Sequence, residues 1–131
     1  VQIFASVDSD LDLFGEGKLK IKKRLAIQEM ANATYPYQAH ELHYKNAKVL
    51  FHKPISAQVE FVEDEDLYVI SFADVDVSAW GNTRDEAIEA FNFAFVETVR
   101  TYYLEKDSNL TKKAIALKKK LAALIKNTEG L

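Results

Sequence analysis

Residues 81–91, Gly-Asn-Thr-Arg-Asp-Glu-Ala-Ile-Glu-Ala-Phe, decide the fold. Thr83 and Glu86 stand three apart, the spacing of a capping box. The threonine hydroxyl satisfies one free helical amide and the glutamate reaches back to another. Asp85 and Glu86 add negative charge at the positive end of the helix dipole. Gly81-Asn82 ahead of them ends whatever precedes. A helix is therefore predicted from this point to about Leu104. At 100° per residue Ala87, Ile88, Ala90, Phe91, Ala94, Phe95, Val99 and Tyr102 share one broad arc, suited to packing on a sheet. Phe93, Val96 and Tyr103 fall outside it, so a second helix or a second subunit is expected to cover them.

Upstream the period changes from helical to alternating. Ile55, Ala57, Val59 and Phe61 alternate with polar residues, as do Tyr68, Ile70 and Phe72 with their neighbours, and Val75, Val77 and Ala79 with Asp76, Ser78 and Trp80. These are three short half-buried strands. Glu63-Asp64-Glu65-Asp66 forms the first connection, and the short links imply an antiparallel meander. The expected fold is α+β: an antiparallel three- or four-stranded sheet on a long helix, with an extra C-terminal helix.

That last helix is placed at 109–127. Asp107, Ser108 or Asn109 would cap it, and Leu110, Ala114, Leu117, Leu121 and Leu124 make a 4-3-4-3 seam. Residues 1–50 read as an atypical N-terminal extension of a single domain spanning 1–131. Alternation suggests a short strand over 1–7, and Asp8, Asp10 and Asp12 fail the spacing of a calcium loop. Lys18 to Arg24 suggests an edge strand, and 25–33 a helix stopped before Pro36. Gln38 to Phe51 is ambiguous between helix and strand.

Composition bounds the function. The chain has 131 residues, 48% hydrophobic and 28% charged, with a formal charge of -3 and no cysteine. Such a composition belongs to a globular domain. Disulfides, thiolate zinc sites and thiol nucleophiles are excluded. No apolar run reaches the ~20 residues of a membrane span, and no leader is visible, so the expected compartment is the cytoplasm. The small total hides a sharp polarity. Glu60 to Glu89 carries a net -9, Lys106 to Lys126 a net +6, and Lys18 to Arg24 five cations without an acid. Self-association or charged partners are implied.

The stretch from about Ser56 to Lys106 resembles the HicB-like antitoxin family. The resemblance rests on the hairpin with an acidic turn (VEFVEDEDLYVISF), a short third strand, and then GNTRDEAIEAF. The family pattern of glycine, polar residue, threonine, two further residues, glutamate and alanine falls on Gly81, Asn82, Thr83, Arg84, Asp85, Glu86 and Ala87. The resemblance implies a β-β-β-α-β module described as a partial ribonuclease H fold. It also implies an antitoxin that binds and neutralises a small basic ribonuclease toxin, often beside a separate DNA-binding module. The first fifty residues and the lysine-rich final helix depart from that pattern. The alternative is a stand-alone homo-oligomeric structural or regulatory protein of the same fold.

Partner contacts are expected from Asp64, Asp66, Asp74 and Asp76, with Trp80, Phe93 and Tyr103 as aromatic anchors. Lys112, Lys113, Lys118, Lys119 and Lys120 are candidates for phosphate contact, against the plainer reading of a solvated helix face. His40 and His43, three apart, could share a metal with His52 only if they lie on a helix. The four aspartates would suit a two-metal nuclease only if they converged from separate elements. No catalytic residue, metal or cofactor is assigned.

Overall fold

The helix start foreseen at Thr83 is formed. In the computed structural model, which describes residues 34–131, Thr83 has extended backbone and its Oγ1 accepts from the Glu86 amide at 3.1 Å. Glu86 Oε1 accepts in turn from the Asn82 amide at 3.1 Å, one residue upstream of the amide a capping box usually serves. Such caps contribute about 1 kcal/mol. The helix α1 (Arg84–Thr98) continues as one wide turn over Val99–Tyr103, where the Leu104 amide bonds to the Val99 carbonyl at 3.1 Å.

Among the described residues five strands make the sheet, one more than the upper expectation: β1 (Tyr37–Tyr44), β2 (Ala47–Val62), β3 (Leu67–Phe72), β4 (Val77–Gly81) and β5 (Ile125–Glu129). The antiparallel order is β1-β2-β3-β4, with β5 pairing β2. The ambiguous stretch 38–51 is thus a hairpin, turned by Lys45 at φ 54 and Asn46. β1 and the first half of β2 belong to the same sheet as the rest. The unit Pro36–Leu131 is continuous in its contacts. The strands and helix expected before residue 34 lie outside the described residues.

The C-terminal helix is shorter than expected. After a single 3-10 turn at Asp107–Asn109, α2 runs Lys112–Leu124. Its cap is Thr111, whose Oγ1 accepts from the Ala114 amide at 3.2 Å, rather than any of residues 107–109. Leu110 precedes the helix, and Ile125 leaves it for the sheet, where residues 125–129 pair with Lys48–Phe51.

One buried cluster joins these parts. Phe91 and Phe95 of α1 are fully buried. Phe95 meets Phe51 edge-on at 5.4 Å and Phe72 at 6.4 Å, while Phe91 meets Tyr37 edge-on at 5.9 Å. Val96, predicted to need an outside cover, is also fully buried within the cluster, as are Val99 and Leu121 of α2. The second helix packs against the wide turn that carries Val99. This removes most of the apolar excess read from the sequence.

Tyr37 ties β1 to α1. Its hydroxyl donates to Asn92 Oδ1 at 3.0 Å, and Asn92 Nδ2 donates to the His43 carbonyl at 3.2 Å. Burial, opposed by the Asn92 hydrogen bond and the Arg84 charge, pushes the Tyr37 hydroxyl above the ordinary tyrosine range. A group whose pKa is raised by folding stabilises fully below its unfolded value, and that part is lost as pH climbs through the folded value. Tyr37→Phe is therefore expected to cost about 1 kcal/mol at neutral pH, with the gap narrowing above about pH 10. Urea denaturation of both proteins between neutral and strongly alkaline pH measures it. A gap that stays constant would show that the hydroxyl does not titrate differently on folding.

Candidate functional site

The two turns that bear the predicted acids are built alike. Each links antiparallel strands by four residues, a 3-10 turn followed by an aspartate in the left-handed region: Glu63–Glu65 then Asp66 at φ 53, and Ala73–Val75 then Asp76 at φ 56. The Asp66 amide bonds to the Glu63 carbonyl and the Asp76 amide to the Ala73 carbonyl. Aspartate tolerates this conformation better than most side-chain-bearing residues. Asp66 and Asp76 therefore have a structural reason to be where they are. Asp64 and Asp74, second in each turn, are not required by the backbone. The expected position of Asp76 on the third strand is corrected: it precedes β4, as Asp74 does.

The acids do not form one patch. β3 separates the turns, and six strand residues span about 20 Å. Near its start lie Glu63, Asp64, Glu65 and Asp66, all exposed. The first helical turn joins them there, since Asn82 Nδ2 donates to the Asp66 carbonyl at 3.3 Å. At the other end Asp74 lines an open cleft of about 640 Å³ with His52, Lys53, Phe72 and Leu124. Lys120 borders the adjoining recess. Asp74 thus sits among cations, and the carboxylates do not converge as a two-metal nuclease requires.

Between the two ends runs the outer face of the sheet. Register places Glu60, Val69 and Trp80 side by side, and Gln58, Ser71 and Ser78 in the next row. None of these six is buried, whereas the alternate row of Ile70 and Ala79 is packed into the core. Trp80 is 65% exposed. An indole on a sheet strand next to Val69 presents a large apolar surface, which is what an interface anchor needs.

The other aromatic candidates lie elsewhere. Phe93, 45% exposed, leans on Tyr44 with ring centroids 4.9 Å apart. Tyr103 is partly buried against the core. Neither shares a face with Trp80, because α1 packs on the opposite side of the sheet. Reasoning from sequence missed Val69, whose neighbourhood with Trp80 depends on register alone.

Lys118 is withdrawn from the basic row of α2. Its Nζ donates to the Glu105 carbonyl at 2.5 Å and pairs with Asp107 at 2.8 Å. Glu105 belongs to the same clasp: the side-chain hydrogen bond from Asn109, then the Lys106 amide, hold its carboxyl below the usual range. Lys112, Lys113, Lys119 and Lys120 remain exposed.

The histidines lie on strands, so His40 and His43 do not form the one-turn helical pair that could share an ion. His43 Nε2 instead contacts Glu41 at 2.8 Å. Among the described residues no group of three or more histidine, aspartate or glutamate side chains is placed to hold a metal. No helix among them is long and apolar enough to cross a membrane. No protein-family model, no curated protein and no solved structure matches this chain.

Proposed function

We propose that this chain is a binding module of the HicB-like antitoxin type, whose partner is a small basic ribonuclease that it neutralises. The observation that carries the reading is the outer sheet face: Trp80 beside Val69, with Glu60 in the same row and the Glu63–Asp66 turn at its border. An exposed apolar anchor rimmed by carboxylates suits a basic protein surface, with the charges steering encounter and the tryptophan supplying the buried centre. The order of three strands, helix and later strand is also the order that the family resemblance implies, with β1 and α2 added. Binding, not turnover, is the activity assigned to this face.

The test joins the chain to the product of its neighbouring gene. That product is expected to cleave RNA alone and to be silenced by this chain. Trp80→Ala should weaken the complex by about 30-fold or more, the mark of a hot spot worth 2 kcal/mol. Added salt should weaken it further. A neighbour whose RNA cleavage is unchanged by the chain would end the antitoxin reading. The stand-alone oligomer has one observation of its own, the exposed Phe93 leaning on the part-buried Tyr44 on a different face. Light scattering of Phe93→Ala against the parent protein separates it, because only a dimer through that face would dissociate.

A further inference from the structure

We infer that the partner of this module is held by strand addition: an extended, basic segment pairs along the outer edge of β4. The inference rests on the binding reading above and specifies how the same region would recognise its partner.

The sheet ends on β4, and among the described residues no strand pairs with its outer edge. An unpaired edge presents a row of backbone donors and acceptors, a template for another chain. Proteins usually protect such edges with charge or proline. β1 carries Glu41 and β5 carries Lys126 and Glu129, so these strands have charged side chains of their own. β4 reads Val-Ser-Ala-Trp-Gly and has neither charge nor proline. It is short, about 17 Å over five residues, yet long enough for the backbone pairing that peptide-binding edges use.

Its charges stand just beyond each end. Asp74 and Asp76 precede Val77, and Lys53 and Lys120 line the clefts that Asp74 borders. Past Gly81 come Asp85 in the first helical turn and Asp66, the latter tied there through Asn82, with the half-buried Arg84 as the one cation in that turn. This arrangement selects the occupant. A second copy pairing antiparallel through β4 would set the acidic end of one strand against the acidic end of the other, and like charges opposed across strands are destabilising. A segment with lysine or arginine at both ends and alternating apolar residues between them meets carboxylates at both ends. One of its side chains would lie beside Trp80, so strand pairing and the aromatic anchor act on one ligand.

The experiment uses the full chain, labelled with nitrogen-15, and a blocked peptide alternating valine with threonine, with two lysines at each end. A second peptide has alternate backbone nitrogens methylated, which removes the donors on one edge and leaves the charge intact. A third has glutamates in place of the lysines. The lysine peptide is expected to shift the amides of Val77–Gly81 and slow their hydrogen exchange. The methylated peptide should lose at least about tenfold in affinity, and the glutamate peptide should not bind. If methylation leaves binding unchanged, strand addition is wrong while the acidic, tryptophan-centred docking face stands. If the lysine peptide leaves the β4 amides unprotected, strand addition is likewise overturned, and the Trp80→Ala measurement with the neighbouring gene's product judges the docking face separately. Dimerisation through β4 in the absence of peptide would also overturn it.

Discussion

Replacing Phe95 with alanine is expected to cost about 3–5 kcal/mol, the range for emptying a buried aromatic site. The ring is fully buried and stands at the meeting point of two strands and its own helix, with Phe51, Phe72 and Phe91 around it at centroid distances of 5.4, 6.4 and 6.0 Å. No neighbour can move into the space without leaving another gap, because each belongs to a different part of the cluster. In a unit of this size each kcal/mol lowers Tm by about 4–8 °C, so a fall of at least about 12 °C should accompany the loss. Phe93→Ala is the control. It lies two residues away, is half-exposed and touches Tyr44 alone among the aromatic pairs, so about 1 kcal/mol is the expected ceiling. Urea denaturation of the two variants decides the matter. Equal losses would mean that the helix faces have been assigned wrongly.

Gly81→Ala is expected to be nearly as damaging for a different reason. A Cβ built at residue 81 would stand 2.5 Å from the Ala87 nitrogen and 2.7 Å from the Glu86 carbonyl carbon. Both are backbone atoms of the first helical turn, so relief requires shifting the helix away from β4. Forced overpacking of this kind costs typically 1–3 kcal/mol, and the lack of a side chain that could rotate aside places this site toward the upper end. The shift would also pull Glu86 from the Asn82 amide. Hydrogen exchange should therefore speed up in the first turn of α1 before it changes at Phe91 or Phe95. A loss below about 1 kcal/mol would show that the close contact is relieved by some easier route.

The parts of the fold that were legible in the sequence are those where local chemistry and tertiary environment agree. Thr83 and Glu86 announce the helix because a cap is a local device. β2 to β4 announce themselves because one face is buried and the other wet, which writes a period of two. The hairpin at residues 37–51, β1 with the first part of β2, was hidden for a matching reason. Its turn places a lysine, Lys45, at positive φ where glycine or asparagine would have signalled it. Its second strand also breaks register, with Ala39 opposite Ile55 but Glu41 opposite Leu50. Pro54 falls within that irregularity, where its missing amide costs no ladder bond.

β5 was absorbed into the preceding helix because the lysine-rich pattern runs on without a breaker until Gly130. Only the sheet edge offered by β2 reveals why the chain straightens at Ile125. Of the candidate site, the residue types were legible and their grouping was not. Asp64, Asp66, Asp74 and Asp76 look like one acidic run in sequence, yet β3 divides them. Trp80 and Phe93 look equivalent, yet the sheet lies between them.

The pairing of β5 with β2 carries a consequence for the order in which the structure assembles. β2, β3, β4 and α1 make contacts with their near neighbours in sequence, which close cheaply and early. β5 must instead find residues 48–51 across most of the described chain, with two strands, both helices and a wide turn intervening. Its loop-closure entropy is correspondingly larger. It is held by five residues, of which Ile125 alone is buried. The last strand is thus the natural first step of local unfolding. When it lifts, it bares a second stretch of unpaired edge on β2, alongside Val49 and Phe51 of the core. Any cellular factor that surveys partly opened proteins would meet this molecule there first.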